Sequence, residues 1–305
     1  MRYVVTGAAG FIGSHLAEAL AAAGHDVVGV DCFTDYYDPA EKEANARGLD
    51  VRRLDLAEDP LDLDGVAGVF HLAAQAGVCS FGGVFALYLR RNLLATQRVL
   101  EAASAAGVRV VFASSSSVYG DAETYPTSED ARPEPISPYG ITKLGCEHLA
   151  RAYAAGFDLD AVVLRYFTVY GPRQRPDMLF RRVCDALLAG GSFELYGGGA
   201  QSRSFTEVGD VVEATVAAME RAPAGAVYNV GGGDEASVLE SIALLERLSG
   251  RTLDVRAGDA AKGDVRRTKA DVSRIRDALG WAPRTGLEGG LGRMWSWASA
   301  RVAAG

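Results

Sequence analysis

The opening stretch of the chain constrains its fold more than any other. A short apolar run at 2–6 leads directly into a glycine-rich turn at 7–13, and an Ala- and Leu-rich helical pattern follows. A second apolar run, 27–30, then ends at Asp31. Glycines between a strand and a helix let the backbone approach a phosphate group at the helix N-terminus. The order strand, turn, helix, strand and acid therefore predicts a dinucleotide-binding unit; the alternative is that the glycines only make a tight turn.

The position of Asp31 predicts which dinucleotide is bound. An acid at the end of the second strand can accept hydrogen bonds from the adenosine ribose hydroxyls, which favours NAD over the phosphorylated NADP. Asp55 and Leu56 follow another strand-like run and are a predicted adenine contact. Small residues after the run 68–72 let a cofactor lie close to the chain. The predicted cofactor contacts in this half are Gly7, Gly10, Phe11, Ile12, Gly13, Asp31, Asp55, Leu56, Leu72, Ala73, Ala74 and Gln75.

Strand-like and helical segments continue to alternate along the chain. Strand-like runs at 51–54, 68–72, 108–113 and 161–165 are separated by helical patterns. This alternation predicts an α/β fold, a Rossmann-type doubly wound parallel sheet with right-handed crossovers. We expect an NAD-binding domain over 1–165, to which the chain returns near 205–230. The segment 166–305 is then mainly a smaller C-terminal α/β lobe for the substrate, interleaved with the first.

Composition excludes several classes of function. The net charge is -8 and no basic block is present, so nucleic acid is not an expected partner. No apolar run reaches ~18 residues, so no membrane span is expected. The four cysteines are far apart and form no C-x-x-C motif, so neither a metal site nor a disulfide framework is predicted. The chain opens directly into a strand-like run with no signal peptide, and a reducing, cytoplasmic location is expected.

A second motif predicts proton-transfer chemistry. Ser137 and Pro138 form a helix-start signal, which would place Tyr139 and Lys143 four residues apart on one helix face. A free tyrosine titrates near ~10, too high for a base at neutral pH, but a neighbouring ammonium favours the phenolate. By itself the spacing is also typical of a packed ring and a solvated lysine. A serine run, 114–117, follows a buried strand, and ligands bind at the carboxyl ends of such strands.

Glycine-rich turn, strand-end serines and Tyr-x-x-x-Lys, in that order, form a recognisable set. The chain resembles the extended short-chain dehydrogenase/reductases, in their nucleotide-sugar epimerase/dehydratase branch. The resemblance runs end to end and is carried by TGAAGFIGSH, HLAAQAGV, SSSSVYG, SPYGITK, LRYFTVYGPRQRPDM, QSRSFTEVGDVVEA, YNVGGG and GDVRRTKAD. It implies a retained NAD that oxidises carbon 4 of a UDP-sugar to a 4-keto intermediate. It also implies a catalytic set in which the base is Tyr139, assisted by Lys143, Ser115 and Ser116.

The residues after the first strand-end serine predict the fate of the keto sugar. Dehydratases of this branch carry an Asp-Glu pair at the positions of Ser116 and Ser117, and decarboxylases carry Glu at the second of them. Epimerisation needs neither carboxyl group, so the serines favour an epimerase, an isomerase of carbohydrate metabolism. Thr168 and the sequence Arg-Pro-Asp-Met at 175–178 resemble the UDP-glucuronic acid 4-epimerases. A uronate needs a cation and hydroxyls around its carboxylate, which Arg175, Ser117 and Thr168 could supply.

The expected reaction is therefore the C4 epimerisation of UDP-glucuronic acid to UDP-galacturonic acid. The alternatives are a UDP-glucose/UDP-galactose 4-epimerase and an NAD-dependent UDP-glucuronate decarboxylase. A reductase that releases its NADH and a non-catalytic sugar-nucleotide sensor are rival classes. The family also implies a homodimer formed through a four-helix bundle by the helical segments 84–103 and 141–155.

The resemblance extends the predicted site beyond these residues. It adds Asn92, Tyr139, Lys143 and Tyr166 to the cofactor contacts. The predicted substrate contacts are Gly77, Val78, Ser117, Thr168, Arg175, Pro176, Asp177, Met178, Phe193, Tyr196, Gln201, Arg203 and Arg266.

Overall fold

The computed structural model describes residues 1–78, 82–199, 201–258 and 267–303. Its strands are β1 (Arg2–Thr6), β2 (Asp26–Asp31), β3 (Asp50–Arg53), β4 (Gly68–His71), β5 (Arg109–Ser115), β6 (Ala161–Tyr166), β7 (Thr168–Tyr170), β8 (Ser192–Tyr196), β9 (Ser202–Glu207), β10 (Val227–Val230), β11 (Glu235–Ser237), β12 (Asp254–Gly258) and β13 (Arg267–Thr268). Its α-helices are α1 (Phe11–Ala22), α2 (Pro39–Asn45), α3 (Phe85–Tyr88), α4 (Ala95–Ala106), α5 (Pro138–Phe157), α6 (Leu179–Ala189), α7 (Val208–Arg221), α8 (Val238–Ser249), α9 (Ser273–Leu279) and α10 (Leu287–Ala303).

Seven parallel strands of the described chain form the main sheet, in the order β10-β6-β5-β4-β1-β2-β3. The strand order reverses direction at β1, so the crevice beyond the carboxyl ends of β1 and β4 is the topological switch point where such sheets bind ligands. This arrangement confirms the predicted Rossmann-type doubly wound fold.

Each face of the sheet is covered by helices. On one face, α1, α7 and α9 bury apolar side chains such as Leu16, Val211 and Ile275 against the strands. On the other face, α4 and α5 contribute Val99, Leu100 and Cys146 to a second core. Because both faces are covered, β4 and β6 consist entirely of buried residues.

The second lobe is a smaller α/β unit. A sheet of β11, β9 and β13, with β7 also paired to β9, lies beside the two-stranded sheet β12-β8. Helices α6, α8 and α10 enclose its core, in which the rings of Phe180 and Phe205 lie 4.8 Å apart. In the predicted return near 205–230, β10 joins the main sheet and α7 packs on it, while β9 belongs to the second lobe.

The helical segment predicted from Val84 onward is interrupted where it passes the cavity. After α3, residues Leu89–Leu94 form a π-helical turn before α4 begins. Such turns are rare inside helices and occur often at functional sites. Among the described residues, none of the helices combines the length and the apolar character needed to cross a membrane.

Candidate active site

A cavity of about 510 Å³ opens at the carboxyl edge of the main sheet. It lies at the switch point between β1 and β4 and extends under the loops of the second lobe. Most of the predicted site residues line it: Gly7, Gly10, Phe11, Ile12, Gly13, Asp31, Asp55, Leu56, Leu72, Ala73, Ala74, Gln75, Gly77, Val78, Ser115, Ser116, Ser117, Tyr139, Lys143, Tyr166, Thr168, Arg175, Asp177, Met178 and Arg203. Residues from distant parts of the chain therefore converge on one cavity.

The glycine-rich turn forms the cradle at one end of this cavity. Gly7 has φ +73°, and a Cβ atom there would lie 2.9 Å from the amide nitrogen of Ala73. A Cβ atom on Gly13 would lie 2.1 Å from the carbonyl oxygen of Gly7. The turn therefore needs glycine at both positions, and it leaves the amide groups at the start of α1 accessible to an anion.

Asp31 occupies the end of β2 beside this cradle. Its carboxylate accepts hydrogen bonds from the backbone N–H groups of Ala9, at 3.2 Å, and Phe33, at 2.8 Å. A fixed carboxylate suits the two hydroxyls of a ribose and repels a ribose phosphate. Together with the glycine cradle, this donor and acceptor set fits NAD.

Tyr139, Lys143 and Ser115 meet at the centre of the cavity. The hydroxyl of Ser137 accepts a hydrogen bond from the N–H of Gly140 at 3.1 Å, which confirms the predicted cap and starts α5 beside β5. The Nζ atom of Lys143 lies 5.9 Å from the centre of the Tyr139 ring and donates to the carbonyl oxygen of Ala113 at 2.7 Å. One turn of helix thus presents the phenol and the ammonium toward the same strand end.

The strand-end serines form a hydroxyl cluster opposite Tyr139. The hydroxyl of Ser115 donates to the hydroxyl of Ser117 at 3.1 Å and accepts from the N–H of Ser117, also at 3.1 Å. Ser115, Ser116 and Ser117 are all partly exposed to the cavity. No carboxylate stands at these three positions, so the cluster supplies hydrogen bonds but no acid–base pair of its own.

Below the cavity, two buried polar contacts hold α5 in place. Glu147, one turn after Lys143, forms an ion pair with Arg165 of β6, with an Nη2–Oε2 distance of 2.7 Å. The hydroxyl of Ser114 donates to the same carboxylate, at 2.5 Å. Because Ser114 and Arg165 belong to adjacent strands, this contact ties α5 to the strands that carry the serine cluster.

The lining of the cavity also contains an ion pair on the loop before α6. Arg175 donates to Asp177 through Nε, at 3.0 Å, and Nη2, at 2.9 Å, and the hydroxyl of Tyr36 donates to the same carboxylate at 3.3 Å. Burial lowers the pKa of Arg175, but Asp177 outweighs this effect and holds the pKa above its usual value. Burial and Asp177 raise the pKa of Tyr36 to about 12, so it remains a protonated donor at neutral pH.

Comparison with known proteins identifies the family to which this chain belongs. The profile described as the NAD dependent epimerase/dehydratase family matches residues 3–231. The chain belongs to this family. It is 35% identical to the UDP-glucuronate 4-epimerase of Thermodesulfobacterium geofontis (strain OPF15), over 98% of this chain and 97% of that protein. The family that the sequence motifs predicted is thereby confirmed.

Solved structures of other members resemble the whole chain. The UDP-glucuronic acid 4-epimerase from Bacillus cereus, in complex with UDP-glucuronic acid and NAD, superimposes with a TM-score of 0.94 at 38% identity, covering 99% of this chain and 100% of that one. MoeE5, in complex with UDP-glucuronic acid and NAD, has a TM-score of 0.89 at 46% identity, with coverage of 99% and 100%. NAD is thus the cofactor of this NAD-dependent epimerase/dehydratase family member.

Asn92 is one of the predicted cofactor contacts. It is buried and lies outside the cavity lining. Its side chain accepts from the N–H of Gln75 at 2.7 Å and donates to the Gln75 carbonyl oxygen and to the Thr142 hydroxyl. These bonds tie the loop at Gln75 to α5, and the predicted contact of Asn92 with the cofactor stays a prediction.

Several predicted substrate contacts also lie away from the cavity lining. These are Pro176, Phe193, Tyr196 and Gln201. Phe193 is 4% exposed and packs in the core of the second lobe, whereas Tyr196 is 40% exposed on the surface. Gln201 donates to the carbonyl oxygen of Tyr196 at 3.1 Å. Arg266 lies outside the described residues, and the binding roles of all five stay predictions.

The cavity also contains residues that the sequence reasoning missed. They come mostly from the loop after β2 and from neighbouring strand ends: Cys32, Thr34, Tyr36, Tyr37, Lys42, Arg91, Ser114, Phe167 and Thr268. The residues of the loop after β2 could have been predicted from the sequence, because a loop that follows Asp31 must pass a ligand bound at Asp31. Thr268 lies in the quoted motif GDVRRTKAD, whereas Arg91 had no signal in the sequence, since only the tertiary fold brings its segment to the cavity.

Proposed function

We propose that this protein interconverts UDP-glucuronic acid and UDP-galacturonic acid by epimerisation at carbon 4, using bound NAD. The observation that carries the proposal is the single cavity in which Tyr139, Lys143 and Ser115 meet the glycine cradle, with serines at the two positions after Ser115. We assign the cofactor to the first lobe, 1–165, and the nucleotide sugar mainly to the second, 166–305.

The catalytic residues have separate tasks in this mechanism. Tyr139 removes the proton from the 4-hydroxyl of the sugar, while Ser115, with Ser116, hydrogen-bonds the same oxygen. Lys143 lies one helical turn after Tyr139, with its Nζ atom 5.9 Å from the centre of the Tyr139 ring, and assists it in this proton transfer. NAD, when bound, would supply the hydride acceptor for carbon 4 and, once the keto sugar has turned over in the site, the hydride donor for its opposite face. Tyr139 then gives the proton back to the 4-oxygen of the epimer.

Residues around carbon 6 must keep the 4-keto acid from losing carbon dioxide. Decarboxylation requires the bond to the carboxylate to align with the π system of the ketone. Arg175, Ser117 and Thr168 line the same cavity and offer a cation and two hydroxyls to a carboxylate. We propose that they hold the carboxylate out of this alignment, which favours epimerisation over the decarboxylase alternative.

A UDP-glucose/UDP-galactose 4-epimerase is the second candidate. The observation in its favour is that Arg175 already has a carboxylate partner, Asp177, so the cavity does not require an acidic sugar for charge balance. MoeE5, at 45% identity, also has a solved complex with UDP-glucose and NAD.

Product analysis tests the proposal directly. Purified protein is incubated separately with UDP-glucuronic acid and with UDP-glucose, and the products are resolved by chromatography while absorbance is followed at ~340 nm, where NADH absorbs. We expect UDP-galacturonic acid from the first substrate and no net absorbance change. Net accumulation of NADH would indicate a dehydrogenase, a pentose product would indicate the decarboxylase, and binding without turnover would indicate a sensor.

The role of Arg175 has its own test. Replacing Arg175 with Ala should reduce turnover of UDP-glucuronic acid much more than turnover of UDP-glucose, because only the acid needs the cation. The ratio of the two kcat/KM values is the measurement. Equal losses for both substrates would contradict a role in sugar selection.

We further propose that the protein acts as a homodimer in the cytoplasm. Support for the dimer comes from apolar side chains on neighbouring helical segments: Phe85 is 40%, Leu89 41% and Ile141 51% exposed. Such side chains are expected to be covered in a helical bundle with a second copy. Light scattering of Ile141→Glu should give the mass of one chain where the wild-type protein gives that of two; an unchanged mass would contradict this interface.

A further inference from the structure

The ion pair of Arg175 and Asp177 in the cavity lining sets a limit on how a uronate can bind. Arg175 and Asp177 flank Pro176 in a tight turn, closed by a 3.0 Å hydrogen bond from the N–H of Met178 to the carbonyl oxygen of Arg175. Proline at the second position of such a turn favours this geometry. The two side chains are therefore held on the same side of one turn by local structure.

The carboxylate of Asp177 occupies one edge of the guanidinium. Nε and Nη2 of Arg175 contact the two carboxylate oxygens separately, which is the bidentate geometry that arginine also uses for a carboxylate ligand. Three of the five guanidinium N–H groups stay outside this contact. A substrate carboxylate must then either displace Asp177 or bind the remaining edge beside a second negative charge.

We infer that Asp177 is a specificity-determining residue, which acts through Arg175 to weaken the binding of acidic sugars relative to neutral ones. The inference rests on the proposed function, because it assumes that the sugar end of a UDP-sugar reaches Arg175. With a neutral hexose, Asp177 keeps Arg175 paired and can itself accept a hydrogen bond from the 6-hydroxyl. With a uronate, the Asp177 charge opposes the substrate charge at the same cation.

The exposure of the two side chains limits how strongly Asp177 can change the preference between acidic and neutral sugars. The side chains of Arg175 and Asp177 are 23% and 40% exposed, so water screens part of their interaction. Tyr36 adds a hydrogen bond that holds the Asp177 carboxylate in position. For a pair of this exposure we expect removal of the charge to change the preference between acidic and neutral sugar by about fivefold.

Calorimetric titration of the NAD-bound protein tests the inference. The dissociation constants of UDP-glucuronic acid, UDP-glucose and UDP are measured for wild type, Asp177→Asn and Asp177→Ser. Both substitutions should raise the preference for UDP-glucuronic acid over UDP-glucose by about fivefold. Binding of UDP should be unchanged, since UDP lacks the sugar and also reports that the site is folded. Initial rates should show the change in KM for the acid rather than in kcat.

Glu18→Gln provides a matched control. Glu18, in α1, accepts a hydrogen bond at 3.0 Å from Arg173, which lies in the same loop as Asp177. Neither Glu18 nor Arg173 lines the cavity. The control should leave the preference within twofold of wild type. A comparable change in Glu18→Gln would mean that the loop as a whole, and not the Asp177 charge, sets the preference, which would overturn the inference.

Two further outcomes separate this inference from the proposed function. If the wild-type protein epimerises UDP-glucuronic acid but the sugar preference of Asp177→Asn is unchanged or shifted toward UDP-glucose, the inference alone is overturned. A shift toward UDP-glucose would mean that Asp177 positions Arg175 for the substrate. Wild-type protein that binds UDP but neither epimerises nor preferentially binds either UDP-sugar would overturn the proposed function and the inference together.

Discussion

The buried ion pair beneath the cavity is the contact whose loss should destabilise this protein most. Arg165 and Glu147 are 6% and 8% exposed. Nε of Arg165 lies 3.0 and 3.2 Å from the two Glu147 oxygens, and Nη2 lies 2.7 Å from one of them. Replacing Glu147 with Gln preserves the side-chain shape but leaves the guanidinium without its counter-ion.

The expected loss in the free energy of unfolding depends on the hydrogen bonds that the Arg165 guanidinium retains. Removal of one partner from a buried ion pair costs about 3–5 kcal/mol, because an uncompensated charge stays in the interior. Arg165 still donates to the Tyr119 hydroxyl at 2.8 Å and to the Glu129 carbonyl oxygen at 3.3 Å. A glutamine also keeps one acceptor oxygen. We therefore expect a loss of about 3 kcal/mol in the free energy of unfolding, at the lower end of the range.

Urea unfolding followed by far-UV circular dichroism measures this loss. The midpoint should fall with little change in slope, since the surface exposed on unfolding is the same. Glu101→Gln is the control, because Glu101 is exposed and its side chain accepts only from Gln97 among the hydrogen bonds found for it. Its effect should stay within about 0.5 kcal/mol.

A double variant tests whether the unpaired buried charge causes the loss of stability. Replacing Glu147 and Arg165 together with Met removes both charges and should recover most of the stability lost in Glu147→Gln. A loss below about 1 kcal/mol in Glu147→Gln, or a double variant less stable than the single one, would refute the argument that the unpaired buried charge dominates.

Three further predictions concern the cofactor turn, the catalytic base and a buried histidine. Gly13→Ala should abolish NAD binding measured by calorimetry, because its Cβ would lie 2.1 Å from a backbone oxygen, whereas Gly289→Ala, with no atom within 4 Å of its Cβ, should bind NAD normally. Tyr139→Phe should lower kcat by about 10²–10⁴-fold while UDP-sugar binding is retained; near-normal turnover would exclude Tyr139 as the base. His71 is fully buried between Thr6 and Thr96, and burial, with a smaller contribution from Lys143, lowers its pKa to about 3. Between about pH 6.5 and pH 3 the unfolded chain takes up a proton that the folded chain refuses, so stability is lost as the pH falls. In that window His71→Asn should reduce the pH dependence of the unfolding free energy by about 1.4 kcal/mol per pH unit; equal slopes would contradict this.

The sequence alone determined those features that depend on neighbouring residues. The alternation of apolar runs and helical patterns predicted the parallel sheet, and β1 begins and ends where the first apolar run does. The Ser137 cap and the Pro138 start of α5 were predictable because capping is completed within one helical turn. The glycine-rich turn and Asp31 were informative for the same reason, since strand, turn and acid are adjacent in the chain.

Only the tertiary structure decided which distant side chains meet. The fold brings Asn92 between Gln75 and Thr142, which are distant from it in the chain. It also packs Phe193 inside the second lobe. Arg165 and Glu147 come together because α5 crosses β6, and Tyr36 reaches Asp177 across 141 residues of chain. Such contacts depend on strand order and helix packing, which local sequence patterns do not encode.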